Sequence, residues 1–347
     1  MPRRAIAAEL GWIAIGTAAV ALILPLFIDV NIATLLAIYA LLALSLGFIW
    51  GFGGILCFGQ AAFYGLGAYT YALAAINFDG PWGAFLLAIV VPSAFAALLG
   101  ALMFYGRLSD VYLAVVTLVV TLILFKFFNS TAGPAYRIGE ARLGGFNGIP
   151  GFPTLTVPGN PGTYIYGAGL FYFVIVLLAL IYFGLRQVLR SPFGRVVVSL
   201  RENEERTQLI GYDVRLYKTA AFALGGGIAG LAGALFANWA EIVTPGLYSL
   251  GQSAEIIIWV IVGGLGTLIG PMIGAALLGY LKFALGHQTV VDNTFVMGVL
   301  LVLVVLFLQE GVVPTIGRLF SRRFGKRSPR PSRQAGRRRR RVASDAR

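Results

Sequence analysis

The stretch EIIIWVIVGGLGTLIGPMIGAALLGYLKFAL, from Glu255 to Leu285, decides the fold. A hydrocarbon core about 30 Å thick is crossed by roughly 20 apolar residues in a helix, so this stretch is too long for one simple span. It is also interrupted, by Gly263-Gly264-Leu265-Gly266-Thr267 and by Pro271. It therefore reads as a hairpin of two short helices or as a re-entrant element, either of which belongs in a membrane bundle.

The rest of the chain agrees. Eight further apolar windows lie at Gly11 to Ile28, Ile32 to Trp50, Ala61 to Ile76, Gly83 to Tyr105, Val111 to Phe128, Tyr164 to Leu185, Thr219 to Ala240 and Thr294 to Val313. The 347 residues are 58% hydrophobic and 12% charged, far more apolar matter than a soluble core buries. The expected fold is an all-α polytopic membrane protein with about 8–10 transmembrane helices and glycine-rich broken or re-entrant segments. One cysteine, Cys57, excludes an intrachain disulfide and a thiolate metal cluster, and one histidine, His287, leaves little for imidazole chemistry.

The formal charge of +13 is a property of the tail. Residues 318–347 hold 13 of the 27 basic residues and one of the 14 acidic ones, leaving a net +1 for everything before them. This divides the chain into a transmembrane region, 1–317, and a basic, disordered cytoplasmic tail, 318–347, of a kind that can contact anionic lipid or help fix topology. A nucleic-acid site would need a folded basic face, so no nucleic-acid partner is expected.

Positive charge also sets the sides. Arg3 and Arg4, the seven basic residues from Arg186 to Lys218, and the arginine tail belong in the cytoplasm, so both termini are inside. Six windows precede Arg186, an even number, as required. Only three regions lie between Lys218 and the tail, so Glu255 to Leu285 must cross twice or re-enter, giving about ten spans. The start Met1-Pro2-Arg3-Arg4 resembles a signal peptide, but no small-residue cleavage site follows, and a retained first helix is expected.

Two loops are long. Residues 129–163, rich in glycine and proline, fall outside by the parity count and read as a connector or as a surface that docks a partner. Residues 186–218 are inside. There Ser191-Pro192 supplies an N-cap and a first-turn proline, and Gly211 a stop, predicting a short helix or helix pair.

Glycines concentrate inside the apolar windows. Pairs four apart, such as Gly226 with Gly230 and Gly270 with Gly274, allow close helix approach. Gly51 to Gly59 and Gly263 to Gly266 also read as unwound segments, which lipid tolerates only against protein or a water-filled cavity. The candidate path residues are therefore Gly59, Gln60, Phe63 and Tyr64, then Gly263, Gly264, Gly266 and Thr267. Glu255 joins them as a carboxylate in an apolar window, although a carboxylate near a helix start is also favoured by the dipole. Lys126, Glu241 and Lys282 lie near window ends, where they can snorkel. No G-x-x-x-x-G-K-[ST] phosphate loop occurs, and Gly264-x-Gly266-x-x-x-Gly270 has the wrong spacing for a dinucleotide. No cofactor is expected, and any ATP is hydrolysed by another chain.

Several segments together carry a resemblance. Ser191-Pro192-Phe193-Gly194-Arg195, Arg201-Glu202-Asn203-Glu204-Glu205-Arg206, Gly211-Tyr212-Asp213-Val214 and Ala229-Gly230-Leu231-Ala232-Gly233 occur in this order, flanked by Gly59 to Tyr69, Gly145 to Ile149 and Gly263 to Pro271. Over roughly residues 30–313 the chain resembles the inner-membrane permeases of branched-chain amino acid ABC importers, LivM type. The resemblance implies a bacterial or archaeal inner-membrane location, a second related permease, two cytoplasmic ATPases and an extracytoplasmic binding protein. It also implies that Pro192, Phe193, Gly194, Arg195, Arg201, Glu202, Glu204, Glu205, Arg206, Gly211 and Asp213 form the element coupled to the ATPases. Val196, Val197 and Leu200 would be its apolar docking edge and 201–206 its polar rim. Displacing this loop would tilt the spans at Tyr164 to Leu185 and Thr219 to Ala240. Related permeases carry urea or short-chain amides. Trp259 resembles that type, whereas Leu265 stands where it commonly has arginine. A stand-alone channel for a small neutral solute would also use glycine-rich half-spans, and an enzyme is disfavoured by the scarcity of polar groups. Replacing Glu204-Glu205-Arg206 by alanines is expected to abolish uptake while the protein still inserts. Unchanged uptake would remove the coupling role.

Overall fold

The computed structural model describes residues 3–78, 80–286 and 298. Apart from Gly298, the window at Thr294 to Val313 lies outside them, as do the tail 318–347 and His287. Eleven α-helices occur among the described residues: α1 (Arg3–Phe27), α2 (Val30–Gly51), α3 (Gln60–Asn77), α4 (Pro81–Tyr105), α5 (Asp110–Ser130), α6 (Ala168–Arg190), α7 (Pro192–Glu202), α8 (Glu204–Leu209), α9 (Val214–Ala240), α10 (Leu250–Gly263) and α11 (Ile269–Gly286). Five of them, α2, α4, α5, α6 and α9, are long and apolar enough to cross a membrane.

Burial is uneven, and the reason is positional. α2 and α9 are almost wholly enclosed, while α4, α5 and α6 turn broad apolar faces outward, with Leu86, Leu98, Val111, Ile123 and Leu180 exposed. Such faces suit lipid tails. The window Ala61 to Ile76 does form a helix, α3, but α3 is not among the five apolar spans. Gln60, Tyr64, Tyr69 and Tyr71 are buried within it. A helix surrounded by α4 and α9 has no need of the hydrophobicity that lipid contact demands.

Glycine sets the distances in this centre. α3 runs parallel to α9, and a Cβ on Gly67 would overlap the backbone of Gly230, as one on Gly233 would overlap the backbone of Tyr64. α4 lies antiparallel on another side of α9. There Gly226 faces Ala96, and Gly230 faces Ala88 and Pro92, while Ser93 Oγ donates to the Ala223 carbonyl at 3.0 Å. Phe63, Phe104 and Phe222 interlock edge to face beside these contacts.

The stretch from Glu255 to Leu285 is a helical hairpin. α10 begins five residues before Glu255 at Leu250, and α11 continues to Gly286. Gly263 lies against the backbone of Gly270, and Gly274 against the carbonyl of Trp259, which fixes an antiparallel register. The turn between them uses Gly264 at φ 104° and Gly266 at φ 88°, a region that side chains resist. α11 packs antiparallel on α2, with Pro271 against Gly47 and Gly279 against Leu36 and Tyr39.

Residues 129–163 are structured rather than a plain connector. Short strands occupy much of the loop, and Ile149–Pro150 pairs antiparallel with Ile242–Val243, strapping it to the α9–α10 connection. Asn238 Oδ1 accepts from the Leu155 amide at 2.8 Å and from Tyr71 Oη at 3.0 Å. Asn77 Nδ2 donates to the Ile138 carbonyl at 2.9 Å.

Because the Gly67–Gly230 crossing leaves no room for a side chain, Gly67→Val is expected to lower the unfolding free energy by about 1–3 kcal/mol or more. Gly184, where a Cβ would meet nothing within 4 Å, is the control, since Gly184→Ala should be neutral or slightly stabilising. Thermal unfolding of the purified protein in detergent compares the two.

Candidate functional site: two broken connections beneath a helical cap

α7 and α8 form a cap across one end of the bundle. Ser191 Oγ accepts from the Gly194 amide at 3.2 Å as the N-cap of α7, with Pro192 in its first turn. Asn203 Oδ1 accepts from the Arg206 amide at 2.8 Å at the start of α8, and Asp213 Oδ1 accepts from the Arg215 amide at 3.1 Å at the start of α9. Gly211, at φ 98°, reverses the chain between α8 and α9. The predicted helix pair is present. Gly194 leaves space for α7 to fold directly back on Val188 and Leu189 of α6.

The cap corrects one expectation. Val196, Val197 and Leu200 are buried, at 5%, 1% and 5% exposure. Val196 and Leu200 pack with Val214 and Tyr217, so this apolar face holds α7 to α9 and is no free edge. Phe193 stacks on Tyr217 at 5.5 Å. Exposed apolar side chains lie instead at Leu209 and Ile210 at the end of α8, at 88% and 70%, with Tyr212 and Leu216 also exposed where the chain enters α9. Of the polar positions, Glu204 turns in to Lys218 at 2.5 Å, and Arg195 bonds the Arg190 carbonyl at 3.3 Å. Glu202, Glu205 and Arg206 are exposed. Arg215 and Lys218 lie over the rings of Tyr105 and Phe104 at the end of α4.

Beneath the cap two connections lack helix. α2 stops at Gly51, and α3 does not start beside it. Gln60 Nε2 donates to Ser45 Oγ at 2.7 Å and to the Gly225 carbonyl at 3.4 Å. Ser45 is about 9 Å back along α2 from Gly51, by helix rise. Residues 52–59 thus turn off the end of α2 and climb back into the bundle as non-helical chain, with Ile55 and Cys57 buried. Thr117 of α5 supports them, its Oγ1 accepting from the Phe58 amide at 3.2 Å and its backbone lying against Gly59. The second connection, 264–268, meets the first, for Gly51 sits so close to Gly266 that a Cβ would lie 3.1 Å from its nitrogen. Thr267 Oγ1 accepts from the Gly270 amide at 3.0 Å.

The path candidates therefore fall in three places. Gly263, Gly264, Gly266 and Thr267 are under the cap. Gly59, Gln60, Phe63 and Tyr64 are central and buried. Glu255 is remote from the cap, in the second turn of α10 and not at its start, and it pairs with Lys282 of α11 at 2.6 Å. Lys282 thus pairs with a carboxylate within the hairpin. Gln60 Oε1, Tyr64 Oη, Tyr248 Oη, Ser253 Oγ, Trp259 Nε1 and Glu255 Oε2 are buried with no hydrogen-bond partner among the described residues. Asn238, Ser45 and Thr117 escaped the sequence reading, although each is a polar residue inside an apolar window and carried that signal. Among the described residues no group of three His, Cys, Asp or Glu side chains is placed to hold a metal.

Residues 28–308 match the family model for the branched-chain amino acid transport system, permease component. The chain belongs to that family of ABC transporter permeases. It is 31% identical to the high-affinity branched-chain amino acid transport system permease protein LivM of Escherichia coli K12, over 82% of this chain and 70% of that one. It is 24% identical to LivH, a permease protein of the same-named system in the same organism, over 82% of this chain and 93% of the other. A shorter match, 29% identical over 36% of this chain and 40% of the relative, is to the ribose import permease protein RbsC of Haemophilus influenzae. No solved structure matches the chain. This permease is a multi-pass membrane protein.

The Glu255–Lys282 pair ties the two arms of the hairpin, and removing one partner leaves the other charge uncompensated in a partly apolar site. Glu255→Gln and Lys282→Met should each cost about 1–3 kcal/mol, a discounted figure because both side chains are partly exposed, and the double variant should cost less than their sum. A double-mutant cycle by thermal unfolding checks this, and strict additivity would deny the coupling.

Proposed function

We propose that this permease is one membrane subunit of an ATP-driven importer for branched-chain amino acids. A second, related permease completes the translocation path, two cytoplasmic ATPases drive it, and an extracytoplasmic binding protein delivers substrate. The observation that carries the reading is the capped end. The bundle presents a folded two-helix cap with Leu209, Ile210, Glu202, Glu205 and Arg206 exposed on its outer side, while the chain itself has no phosphate-binding loop.

Orientation follows from charge. The cap holds basic residues from Arg186 to Lys218, so it faces the cytoplasm of a bacterial or archaeal cell, and residues 131–167 face outward. With nine helices running between the two ends among the described residues, and the apolar window Thr294 to Val313 counted from sequence alone as a tenth crossing, both termini are placed in the cytoplasm. The apolar tip at Leu209 and Ile210 contacts an ATPase, with Glu205 and Arg206 at its margin. The path runs past Gln60, Tyr64 and Glu255, where buried polar atoms lack partners among the described residues. Such atoms are costly unless water or substrate groups reach them in another state.

Two permease proteins of one system in one organism both resemble this chain, which supports a heterodimer of related subunits. The match to a ribose permease supports a shared mechanical framework whose substrate choice is made largely elsewhere, at the binding protein. Affinity purification of the tagged chain from native membranes in mild detergent is expected to recover a second hydrophobic permease and ATPase subunits. The associated binding protein should then bind leucine rather than urea. Recovery alone, beside a control transporter that stays intact, together with solute flux in liposomes holding this chain by itself, would instead establish a stand-alone channel.

A further inference from the structure

Arg201 occupies the one place where the cap, the end of α2 and both broken connections meet. It lies in the last turn of α7. Its Nη1 donates to the carbonyl of Gly51, the final residue of α2. The last carbonyls of a helix have no partner within it and carry the negative end of its dipole, so a guanidinium is a fitting cap. The stem of Arg201 runs against Gly54, where a Cβ would lie 3.2 Å from the Arg201 Cα, and Gly54 itself has φ 70°. Nη1 also reaches the α10–α11 turn, where a Cβ on Gly266 would lie 3.5 Å from it. Gly54 and Gly266, on two segments, leave room for the arginine, and Gly51 supplies its acceptor, although the residue as a whole remains open to solvent.

Mechanically, this matters because α7 has two kinds of attachment. Along the chain it joins α6, and through α8 it joins α9. Both α6 and α9 are continuous helices, and tilting them moves large packed surfaces, α9 above all. Arg201 instead reaches residues 52–59 and 264–268, where helical hydrogen bonds persist only at the margins, from the amides of Phe52, Gly53 and Gly54 back to α2 and from Gly264 to the Val260 carbonyl, and where bordering glycines change φ and ψ readily.

We infer that Arg201 is a transmission residue, which passes displacement of the α7–α8 cap to the end of α2 and to the α10–α11 turn, so that the path opens by hinging at residues 52–59 and 264–268 rather than by tilting α6 and α9. This rests on the importer reading above. It assigns Arg201 an inward role, distinct from the ATPase contact of Glu205, Arg206, Leu209 and Ile210.

The test uses the complete complex of this chain with its second permease, its ATPases and its binding protein, reconstituted in proteoliposomes. ATP hydrolysis and leucine uptake are measured together. With Arg201→Ala the complex is expected to assemble and hydrolyse ATP, while leucine taken up per ATP falls about tenfold, the size of a typical coupling between sites. Arg201→Lys, which keeps a charge and one donor for the Gly51 carbonyl, should recover part of the loss. Parallel loss of ATPase association and uptake would make Arg201 a docking residue and overturn the inference, as would an unchanged ratio. A measurement on the arginine-containing complex guards against a variant that fails to fold. Spin labels at Glu202 and Leu265 should keep their separation between the nucleotide-free and ATP-bound states, and a changed separation overturns the tie. Absence of any ATPase from the wild-type complex would defeat the importer reading first, and is read from purification before either variant is made.

Discussion

Backbone-to-backbone approach of α3 and α9 is the constraint on which the rest depends. In lipid, apolar side chains gain nothing by leaving the tails for one another, so association needs close packing and polar contacts. Gly67 on Gly230, and Gly233 on the Tyr64 backbone, bring two helices to a distance that any side chain would forbid. With α3 held there, Gln60 reaches Ser45 and Gly225, and the start of α3 is fixed deep in the bundle. Residues 52–59 must then climb to meet it, and the break under the cap is a consequence of the packing above it.

The same logic joins the α10–α11 hairpin to α2. Gly263 and Gly274 let its arms cross closely, and Gly47 accepts Pro271. The result is a bundle with two unlike ends. One carries the cap, the two broken connections and the basic residues from Arg186 to Lys218. The other carries short strands, strapped to the α9–α10 connection by Ile149–Val243 pairing and held to α3 and α9 by Asn77 and Asn238. Continuous helices between them, α4, α5 and α6, meet lipid with broad apolar faces.

Much of this was legible in the amino-acid sequence, and what was not has physical causes. Ser191-Pro192 and Gly211 marked the cap helices because capping chemistry is local. The hairpin was legible because glycine and proline interrupt an apolar run at one place. Burial of Val196, Val197 and Leu200 was not, since an amphipathic face looks the same whether it packs on its own chain or on a partner. The Arg201–Gly51 bond joins residues far apart in sequence, and no periodicity announces it. Glu255 was visible as a costly carboxylate, but its partner Lys282 looked like a snorkelling end residue until the hairpin register brought them together.

The proposed orientation puts the two ends on opposite sides of the membrane, with the cap in the cytoplasm. Cys57 is fully buried, so the natural protein gives a quiet background for a membrane-impermeant thiol reagent. Single cysteines at exposed Glu205 in the cap and exposed Glu140 in the strand-bearing loop report the two ends directly. Glu205→Cys is expected to react only in inside-out vesicles and Glu140→Cys only in right-side-out ones. Reaction of both from one side, or with the sides exchanged, would contradict that orientation.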